Sequence, residues 1–260
     1  MTWFDSHCHL DMLDDPAAAL IRARDMGVGG AITIGTRLWT ASRQRALCDL
    51  DTPNFRVWAA VGTHPDHVAE GPVATEAAIL AAADHPGVVA LGESGLDYFH
   101  GAEDVRPLQA DSFRAHIAAA RTSGLPLVIH ARAADEDVAA ILRDEHGRGA
   151  FPFLLHCFAS GPALAETALS LGGYISFSGL LTFPKCGEIR DVARVVPADR
   201  LLVETDSPFL APVPRRGKHN EPGYVAYTAH RLAQERGVEP DALADTIARN
   251  MHRLFSRMAA

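Results

Sequence analysis

The chain has 260 residues, of which 48% are hydrophobic and 22% are charged, and its formal net charge is -8. This composition is that of a globular protein with a large core, and the lack of any run of about 20 apolar residues excludes a predicted membrane-spanning helix. The acidic balance argues against broad, non-specific binding to nucleic acid, although metal ions and a few arginines can still hold a phosphate locally.

The first residues and the cysteines bear on the cellular compartment. MTWFDSHCHL has no basic region followed by a long apolar stretch, so no signal peptide is predicted and the cytoplasm is the expected location. Cys8, Cys48, Cys157 and Cys186 have no CxxC spacing and are interpreted as reduced thiols. Cys8 and Cys157 neighbour candidate ligands, but strand alternation turns their side chains away, which argues against thiolate ligation.

Short apolar, β-branched runs alternate along the chain with stretches of helical character. Strands are predicted at residues 2–5, 30–35, 56–62, 88–92, 127–130, 153–156, 174–178 and 201–204. Helices are predicted at residues 16–26, 39–50, 73–83, 105–123, 134–145, 162–171 and 187–195, and residues 223–260 are expected to form two more, divided near residues 237–240. Gly27, Gly124 and Gly172 stand where helix C-caps are expected.

Alternation of eight strands with helices predicts an α/β fold of the TIM (β/α)8 barrel type, as one domain over residues 1–260. The strands lack clean period-2 alternation, as expected when both faces are buried. An open Rossmann-type sheet is the structural alternative, but no GxGxxG follows the first strand.

Six candidate metal ligands stand at the ends of predicted strands, and the carboxyl ends of parallel barrel strands meet at one rim. They are His7 and His9 in FDSHCHL, Glu93 in VVALGESGLD, His130 in LPLVIHAR, His156 in FPFLLHCF and Asp206 in LLVETDSP. Imidazoles and carboxylates in this number suit divalent metals, so the pattern predicts a metal-dependent hydrolase. Taken singly, His7 and His9 are better explained by structural hydrogen bonds, whereas His130 and His156 are explained equally well by a hydrogen bond or by ligation.

Spacing suggests individual roles. His7 and His9 are two apart and so lie on one face of a strand, with Asp5 before them as a candidate to orient an imidazole or to cap a turn. Glu93 can bridge two ions, whereas neither Lys185 nor Lys218 ends the fourth strand. Asp206 is preferred to the deeper Glu204 as ligand and general base.

Other residues are candidates for substrate contact. His64 ends the third strand and is predicted to donate a hydrogen bond to substrate, while Arg132 is interpreted as a fork for phosphate or carboxylate. A loop histidine and a salt bridge remain the alternatives for these two. The basic loop of residues 208–222 is a candidate clamp for an anionic substrate or a solvated loop, and Tyr98 with Phe99 could stack a base or pack in the core.

At these residues the sequence resembles the TatD-type metal-dependent hydrolases. The matching motifs are DSHCHLD at residues 5–11, GTHP at 62–65, GESGLDY at 92–98, IHAR at 129–132, LHCF at 155–158, SFSGLLTF at 176–183, ETDSP at 204–208 and NEP at 220–222. The resemblance implies a TIM barrel with two divalent metals, one held by His7, His9, Glu93 and Asp206. It implies that Glu93, His130 and His156 hold the other, and that His64 and Arg132 lie near the substrate phosphate.

Two positions depart from the family pattern: Ser94, where cysteine or an aliphatic residue is usual, and Pro184, which puts a catalytic role for Lys185 in doubt. The resemblance implies DNA hydrolysis, including 3′-to-5′ exonuclease action, and some relatives deacylate D-aminoacyl-tRNA instead.

The sequence therefore predicts a metal-dependent deoxyribonuclease in which a water activated by two metals attacks phosphorus, with Asp206, Glu93 and His64 as catalytic residues. Imidazole-rich ligation favours Zn, with Mn, Ni, Fe or Mg as alternatives. Single-stranded nucleic acid or a 3′ end is the expected substrate, and a monomer without a membrane partner is expected. A D-aminoacyl-tRNA deacylase or other amidohydrolase-type carbonyl hydrolase is the alternative function, and a non-catalytic metal-stabilised scaffold is the third.

Overall fold

Eight parallel strands form one sheet in chain order, which confirms the predicted TIM barrel. The structure, a computed structural model, describes residues 2–259, so Met1 and Ala260 at the ends of the predicted single domain lie outside the described residues. The strands are β1 (Trp3–Cys8), β2 (Val28–Ile34), β3 (Arg56–Val61), β4 (Val88–Asp97), β5 (Leu127–Arg132), β6 (Phe153–Leu155), β7 (Tyr174–Phe177) and β8 (Leu201–Val203).

The barrel closes where the first strand meets the segment that follows the last. Cys8 and Ser207 form a parallel bridge, and the N–H of His9 donates to the carbonyl of Ser207 at 2.8 Å. One register earlier, the N–H of Asp206 donates to the carbonyl of His7 at 2.9 Å. The main chain therefore holds two candidate ligand segments side by side, although they are far apart in the sequence.

Nine α-helices surround the barrel within residues 2–259. They are α1 (Pro16–Asp25), α2 (Ala41–Leu47), α3 (Glu76–Ala82), α4 (Arg106–Ser123), α5 (Asp135–Arg148), α6 (Pro162–Ser170), α7 (Gly187–Val195), α8 (Val225–Arg236) and α9 (Pro240–Leu254). One apolar core joins them to the strands, with Phe113 and Ile117 of α4, Leu232 of α8 and Met251 of α9 fully buried. No helix in this part of the chain combines the length and hydropathy needed to cross a membrane.

Local signals account for several helix boundaries. The Asp15 side chain accepts a hydrogen bond from the N–H of Ala18 and so caps the start of α1. The predicted C-cap glycines adopt the left-handed conformation, with φ of 83° at Gly27, 72° at Gly124 and 83° at Gly172. The predicted second helix is shorter than expected, because 3-10 turns at Leu38–Thr40 and Cys48–Leu50 flank α2.

Several strands run further than their apolar cores suggested. Strand β1 continues to Cys8, β4 to Asp97 and β5 to Arg132, so His7, Glu93 and His130 lie within strands rather than at their ends. In β4 the cause is a register shift between Leu91 and Ser94, after which pairing with β5 resumes as far as Asp97 and Arg132. Gly92 has a φ of 112°, a conformation that other residues rarely adopt, and it permits this irregularity.

Candidate active site

The six candidate ligands converge at the carboxyl rim of the barrel, at the base of an open cavity of about 1210 Å³. His7, His9, Glu93 and His156 are buried, and His130 and Asp206 are partly exposed to the cavity. The prediction that separate strands bring these side chains together is therefore met by the geometry. The distances between their donor atoms distinguish a hydrogen-bonded cluster from a site that binds ions.

The first group of donor atoms comes from β1 and the loop after β8. The Nε2 atoms of His7 and His9 are 3.3 Å apart, and each lies 3.5–3.6 Å from Oδ1 of Asp206. Glu93 adds its two oxygens, with Oε1 3.7 Å from His9 Nε2 and Oε2 3.8 Å from His7 Nε2.

The second group comes from β4, β5 and the end of β6. His130 Nδ1 and His156 Nε2 are 3.3 Å apart. Oε2 of Glu93 is 2.8 Å from His156 Nε2 and 3.8 Å from His130 Nδ1. Glu93 thus faces both groups, and the rings of His7 and His156 stack between them with centroids 3.9 Å apart.

These spacings suit a cation better than direct hydrogen bonds. Two ligand atoms about 2.1 Å from one tetrahedral Zn²⁺ lie about 3.4 Å apart, whereas an N–H···O hydrogen bond spans about 2.7–3.2 Å. Most of the separations within the two groups fall between 3.3 and 3.8 Å. The 2.8 Å contact of Glu93 with His156 is the exception. The donor set, imidazoles with carboxylates, is one that divalent metals bind.

The second ring nitrogen of three imidazoles has its own acceptor, so the other nitrogen is the one that faces the centre. Nδ1–H of His9 donates to the carbonyl of Ile34 at 3.2 Å. Nε2–H of His130 donates to Oδ2 of Asp97 at 3.0 Å, and Nδ1–H of His156 donates to Oε1 of Glu204 at 3.3 Å. Among the described residues Nδ1 of His7 has no such partner.

Burial and neighbouring charges shift the pKa values in this cluster. Burial would raise the pKa of Glu93, but the surrounding imidazoles hold it well below its usual range. Burial, together with the His156 imidazole, holds the pKa of His7 well below its usual value. Burial would also lower the pKa of His9, yet Asp206 and Glu93 outweigh it and raise that pKa to about 9.

Sequence reasoning overlooked one of the two carboxylates that orient imidazoles and misjudged the other. Asp97 was not considered, although GESGLDY places it two residues after a buried glycine on the same strand. Glu204 was considered only as a deeper ligand, but its Oε1 also accepts from the N–H of Cys157 at 2.7 Å, so it faces the back of the His156 ring. A carboxylate buried within an apolar strand was the available signal, since it requires a partner.

Asp5 does not orient an imidazole. Its Oδ1 accepts from the main-chain N–H of His7 at 3.3 Å and of Thr205 at 2.8 Å, and its Oδ2 accepts from the Thr205 hydroxyl at 2.6 Å. The side chain therefore joins β1 to the segment after β8. Burial raises the pKa of this carboxyl to about 8.

His64 lies beside the second group of donor atoms. Its Nδ1 accepts a hydrogen bond from the N–H of Asp66 at 3.1 Å, so the ring proton is on Nε2. One ring nitrogen of His64 lies within 4.8 Å of donor atoms of Glu93 and His130. Burial lowers the pKa of His64 to about 3, which makes it a neutral hydrogen-bond donor at neutral pH.

Arg132 lines the cavity and projects from the end of β5. Its guanidinium lies over the ring of Phe99, 4.5 Å from the centroid, and no carboxylate within residues 2–259 comes within 4.0 Å of it. The salt bridge considered as an alternative is therefore not formed in this part of the chain. Phe99 is 66% exposed, whereas Tyr98 is covered by Arg106 and donates its hydroxyl to Asp137.

The basic residues of the loop at 208–222 lie away from the cavity, contrary to the clamp hypothesis. Arg215 rests on the rings of Tyr224 and Tyr227, and Arg216 rests on Phe183. Asn220 is buried and donates to the carbonyls of Thr205 and Phe209, so its part is to hold the loop.

The two cysteines beside candidate ligands point elsewhere. The Cys8 thiol donates to the carbonyl of Ile32, and Cys157 Sγ lies 3.2 Å from the Ser178 hydroxyl. Burial raises the pKa of both thiols well above the usual value. At the rim, Cys157 and Asp206 have φ of 42° and 58°, an uncommon conformation for non-glycine residues that is often found at functional sites.

Comparison with known proteins gives a consistent family. The sequence matches the family model described as TatD related DNase over residues 4–256. It is 42% identical over 259 residues to the metal-dependent hydrolase YcfH of Escherichia coli K12, which covers 96% of this chain and 94% of that protein. It is 33% identical over 247 residues to a protein of Erwinia tasmaniensis named 3'-5' ssDNA/RNA exonuclease TatD, covering 90% and 91%.

A solved structure agrees with this. YjjV, a TatD homologue from Escherichia coli K12, superposes on the chain with a TM-score of 0.88 and 28% sequence identity, covering 98% of both chains.

Proposed function

The chain belongs to the TatD-related DNase family of metal-dependent hydrolases, and we propose that it removes nucleotides from the 3′ ends of single-stranded nucleic acid. The observation that carries the proposal is the 3.3–3.8 Å spacing of nitrogen and oxygen donor atoms at the base of the cavity. A relative named as an exonuclease for single-stranded DNA and RNA supports the choice of substrate.

Two divalent ions are the proposed cofactor, with Zn as first preference and Mn, Ni, Fe or Mg as alternatives. His7, His9, Glu93 and Asp206 would hold one ion, and Glu93, His130 and His156 the other. When bound, such ions polarise a phosphodiester and lower the pKa of water. Glu93 suits the shared position, because its two oxygens face the two groups of nitrogen donors.

Asp206 is the proposed general base. Its side chain is 15% exposed, compared with 3% for Glu93 and 0% for Glu204, so its carboxylate is the one that an incoming water can reach. Asp206 lies at the rim in the left-handed backbone conformation, and its side chain lines the cavity. The proton of the attacking water would pass to this carboxylate as the water oxygen bonds to phosphorus. The bond from phosphorus to the 3′ oxygen of the preceding nucleotide would break, and that oxygen would take up a proton and leave as the new 3′ hydroxyl, so that a 5′-mononucleotide is released.

His64 and Arg132 are the proposed contacts for the phosphate. His64 presents Nε2–H next to the donor cluster and remains neutral, so it can donate one hydrogen bond to the substrate. Arg132 carries a permanent charge, and the Phe99 ring beneath it restricts its position.

The test is 3′-end hydrolysis of a labelled single strand by metal-free protein, before and after addition of Zn²⁺ or Mn²⁺. We expect no activity in the metal-free protein, recovery with metal, and a loss of at least about 1,000-fold in kcat for Asp206→Asn with the fold intact. Glu166→Gln, an exposed carboxylate on α6, is the matched control. Hydrolysis that persists without metal, or a fully active Asp206→Asn, would refute the mechanism.

Ester hydrolysis of a D-aminoacyl-tRNA is the second candidate. One observation favours it: carboxylates outnumber cations around the cavity, and an aminoacyl ester carries an ammonium group that such a rim attracts. Rates measured side by side on the oligonucleotide and on a D-aminoacyl-tRNA would distinguish the two. The monomeric state and the cytoplasmic location stay predictions.

A further inference from the structure

The charge around the cavity limits how much of a strand can enter it. Apart from the candidate ligands and Asp97, five carboxylates among residues 2–259 line the cavity, and Arg132 is the one lysine or arginine of these residues that does so. The five are Asp66, Asp135, Glu136, Asp137 and Glu188. In all, eight carboxylates and one guanidinium of residues 2–259 line the cavity. The excess of negative charge is larger than two divalent ions would offset.

Little positive charge faces the outer carboxylates, because most of their partners are neutral groups. Asp135 accepts from the Ser160 hydroxyl and the N–H of Gly161, and Asp137 accepts from the Tyr98 hydroxyl. Glu136 and Glu188 are exposed and make no hydrogen bond or ion pair with any residue among 2–259. They stand on the first turns of α5 and α7.

A protein that follows a single strand uses a positively charged groove along the backbone. Here the arginines that could build one are placed elsewhere, with Arg215 and Arg216 on aromatic rings away from the cavity. Phosphates upstream of the scissile bond would therefore lie near carboxylates. The phosphate beside Arg132 and His64 would be the one that receives hydrogen bonds.

We propose that the cavity accepts only the last phosphodiester of a chain, so that dinucleotides are its preferred substrates and long strands are repelled. This inference rests on the proposed function and adds the length of the substrate. Glu136 and Glu188 are the residues that impose the length limit, by raising the free energy of a second and third phosphate at the rim. Their effect is electrostatic and falls as salt screens it over about 10 Å.

The experiment compares kcat/KM per 3′ end for a dinucleotide and for a single strand of about 20 nucleotides, at about 0.02 M and about 0.2 M salt. We expect the dinucleotide to be cleaved about tenfold faster at low salt, and the difference to shrink at high salt because the rate on the long strand rises. The double variant Glu136→Gln/Glu188→Gln should reduce the low-salt difference to about threefold or less. Glu166→Gln, on the outside of the barrel, should leave it unchanged.

The outcomes separate this inference from the function on which it rests. A long strand that is cleaved faster than the dinucleotide at low salt, and loses several orders of magnitude at high salt, would indicate a cationic track and overturn the length limit alone. An unchanged length preference in the double variant would also overturn it. Failure to cleave either substrate with any of the metals would overturn the proposed function and the length limit together.

Discussion

Single residues behind the ligands decide which ring nitrogen faces the centre. Asp97 accepts from Nε2 of His130, and its other oxygen is held by the main-chain N–H groups of Phe99 and His100. Main-chain groups therefore hold the carboxylate independently of the imidazole. Burial would raise the pKa of Asp97, but these hydrogen bonds keep it well below its usual range, so it remains an anion that strengthens His130 as a donor.

Asp97→Asn should lower metal affinity while leaving the fold intact. The amide keeps the size of the side chain but loses the negative charge that orients and polarises His130, so we expect affinity at one site to fall about 10–100-fold. Chelator competition with the folded, metal-free variant measures this without reference to activity. Asp137→Asn is the control, since Asp137 bonds only the Tyr98 hydroxyl. Equal affinity in Asp97→Asn and the parent protein would show that the contact is only structural.

Metal binding should compete with protons at His9. The pKa of His9 is raised to about 9, so in the metal-free protein the imidazole is protonated below pH 9 and must lose that proton before it can ligate. Affinity should therefore rise as pH increases from about 7 to about 9, by up to about tenfold per unit, and level off above. Titration calorimetry in two buffers of different ionisation enthalpy would detect the released proton. An affinity independent of pH would contradict this protonation state.

At the level of elements, β4 determines the shape of the centre. It carries Glu93 and Asp97 on one strand and is held against β5 by pairing that resumes after its irregular turn. Gly95 is the point of closest approach, because a Cβ there would stand 2.0 Å from the carbonyl oxygen of His130. Its φ of 149° is also one that other residues rarely adopt.

Gly95→Ala should destabilise the protein and disturb the metal site together. The added methyl would force β4 away from β5, and we expect a loss of about 3 kcal/mol or more in the free energy of unfolding. Denaturant titration measures the loss, and metal affinity measures the displacement of His130. Gly147→Ala in α5 is the control, because nothing lies within 4 Å of its Cβ position and alanine favours a helix. Similar stability in the two variants would contradict the close approach.

The sequence predicted strand existence better than strand extent. Apolar runs mark where β4 is buried between helices and barrel interior, but its continuation past Glu93 depends on pairing with β5 through Ser94, Gly95 and Leu96. No local preference encodes such a partner. The sequence nonetheless indicated the six side chains that the barrel brings together, because imidazoles and carboxylates are conspicuous beside buried strands. Their role as metal ligands stays a prediction.

The residues that orient ligands and the residues around the cavity were harder to predict. Glu204 and Asp206 are two apart at the end of one strand, and only the fold shows that the first contacts the back of His156 while the second lies at the rim. The arginines of the loop at 208–222 suggested a phosphate clamp, yet aromatic residues from α8 and its preceding turn draw Arg215 away from the cavity. In both cases the side chain contacts a partner that is distant in sequence, so local sequence does not indicate the contact.

For the molecule as a whole, the donor cluster and the closure of the barrel lie in the same place. The hydrogen bonds that join β1 to the loop after β8 connect the main chains of His7, His9 and Asp206, which are also candidate ligands. We call this junction between β1 and the loop after β8 the seam of the barrel. An ion held by these side chains would strengthen the seam. Because the donors are contributed by residues from 7 to 206, the unfolded chain cannot hold the ion in the same way, and binding must favour the folded state.

Metal should therefore raise the thermal stability of the whole barrel. An ion at about 1,000 times its dissociation constant adds about 4 kcal/mol, which for a protein of this size raises the melting temperature by about 8–16 °C. Thermal unfolding of chelator-treated protein, with and without Zn²⁺ or Mn²⁺, measures the shift. His7→Ala/His9→Ala removes two donors from the seam and should lose most of the increase, whereas Glu166→Gln should retain it. A shift of the same size in the double histidine variant would place the stabilising ion outside this seam, because the remaining donors cannot replace both imidazoles of β1.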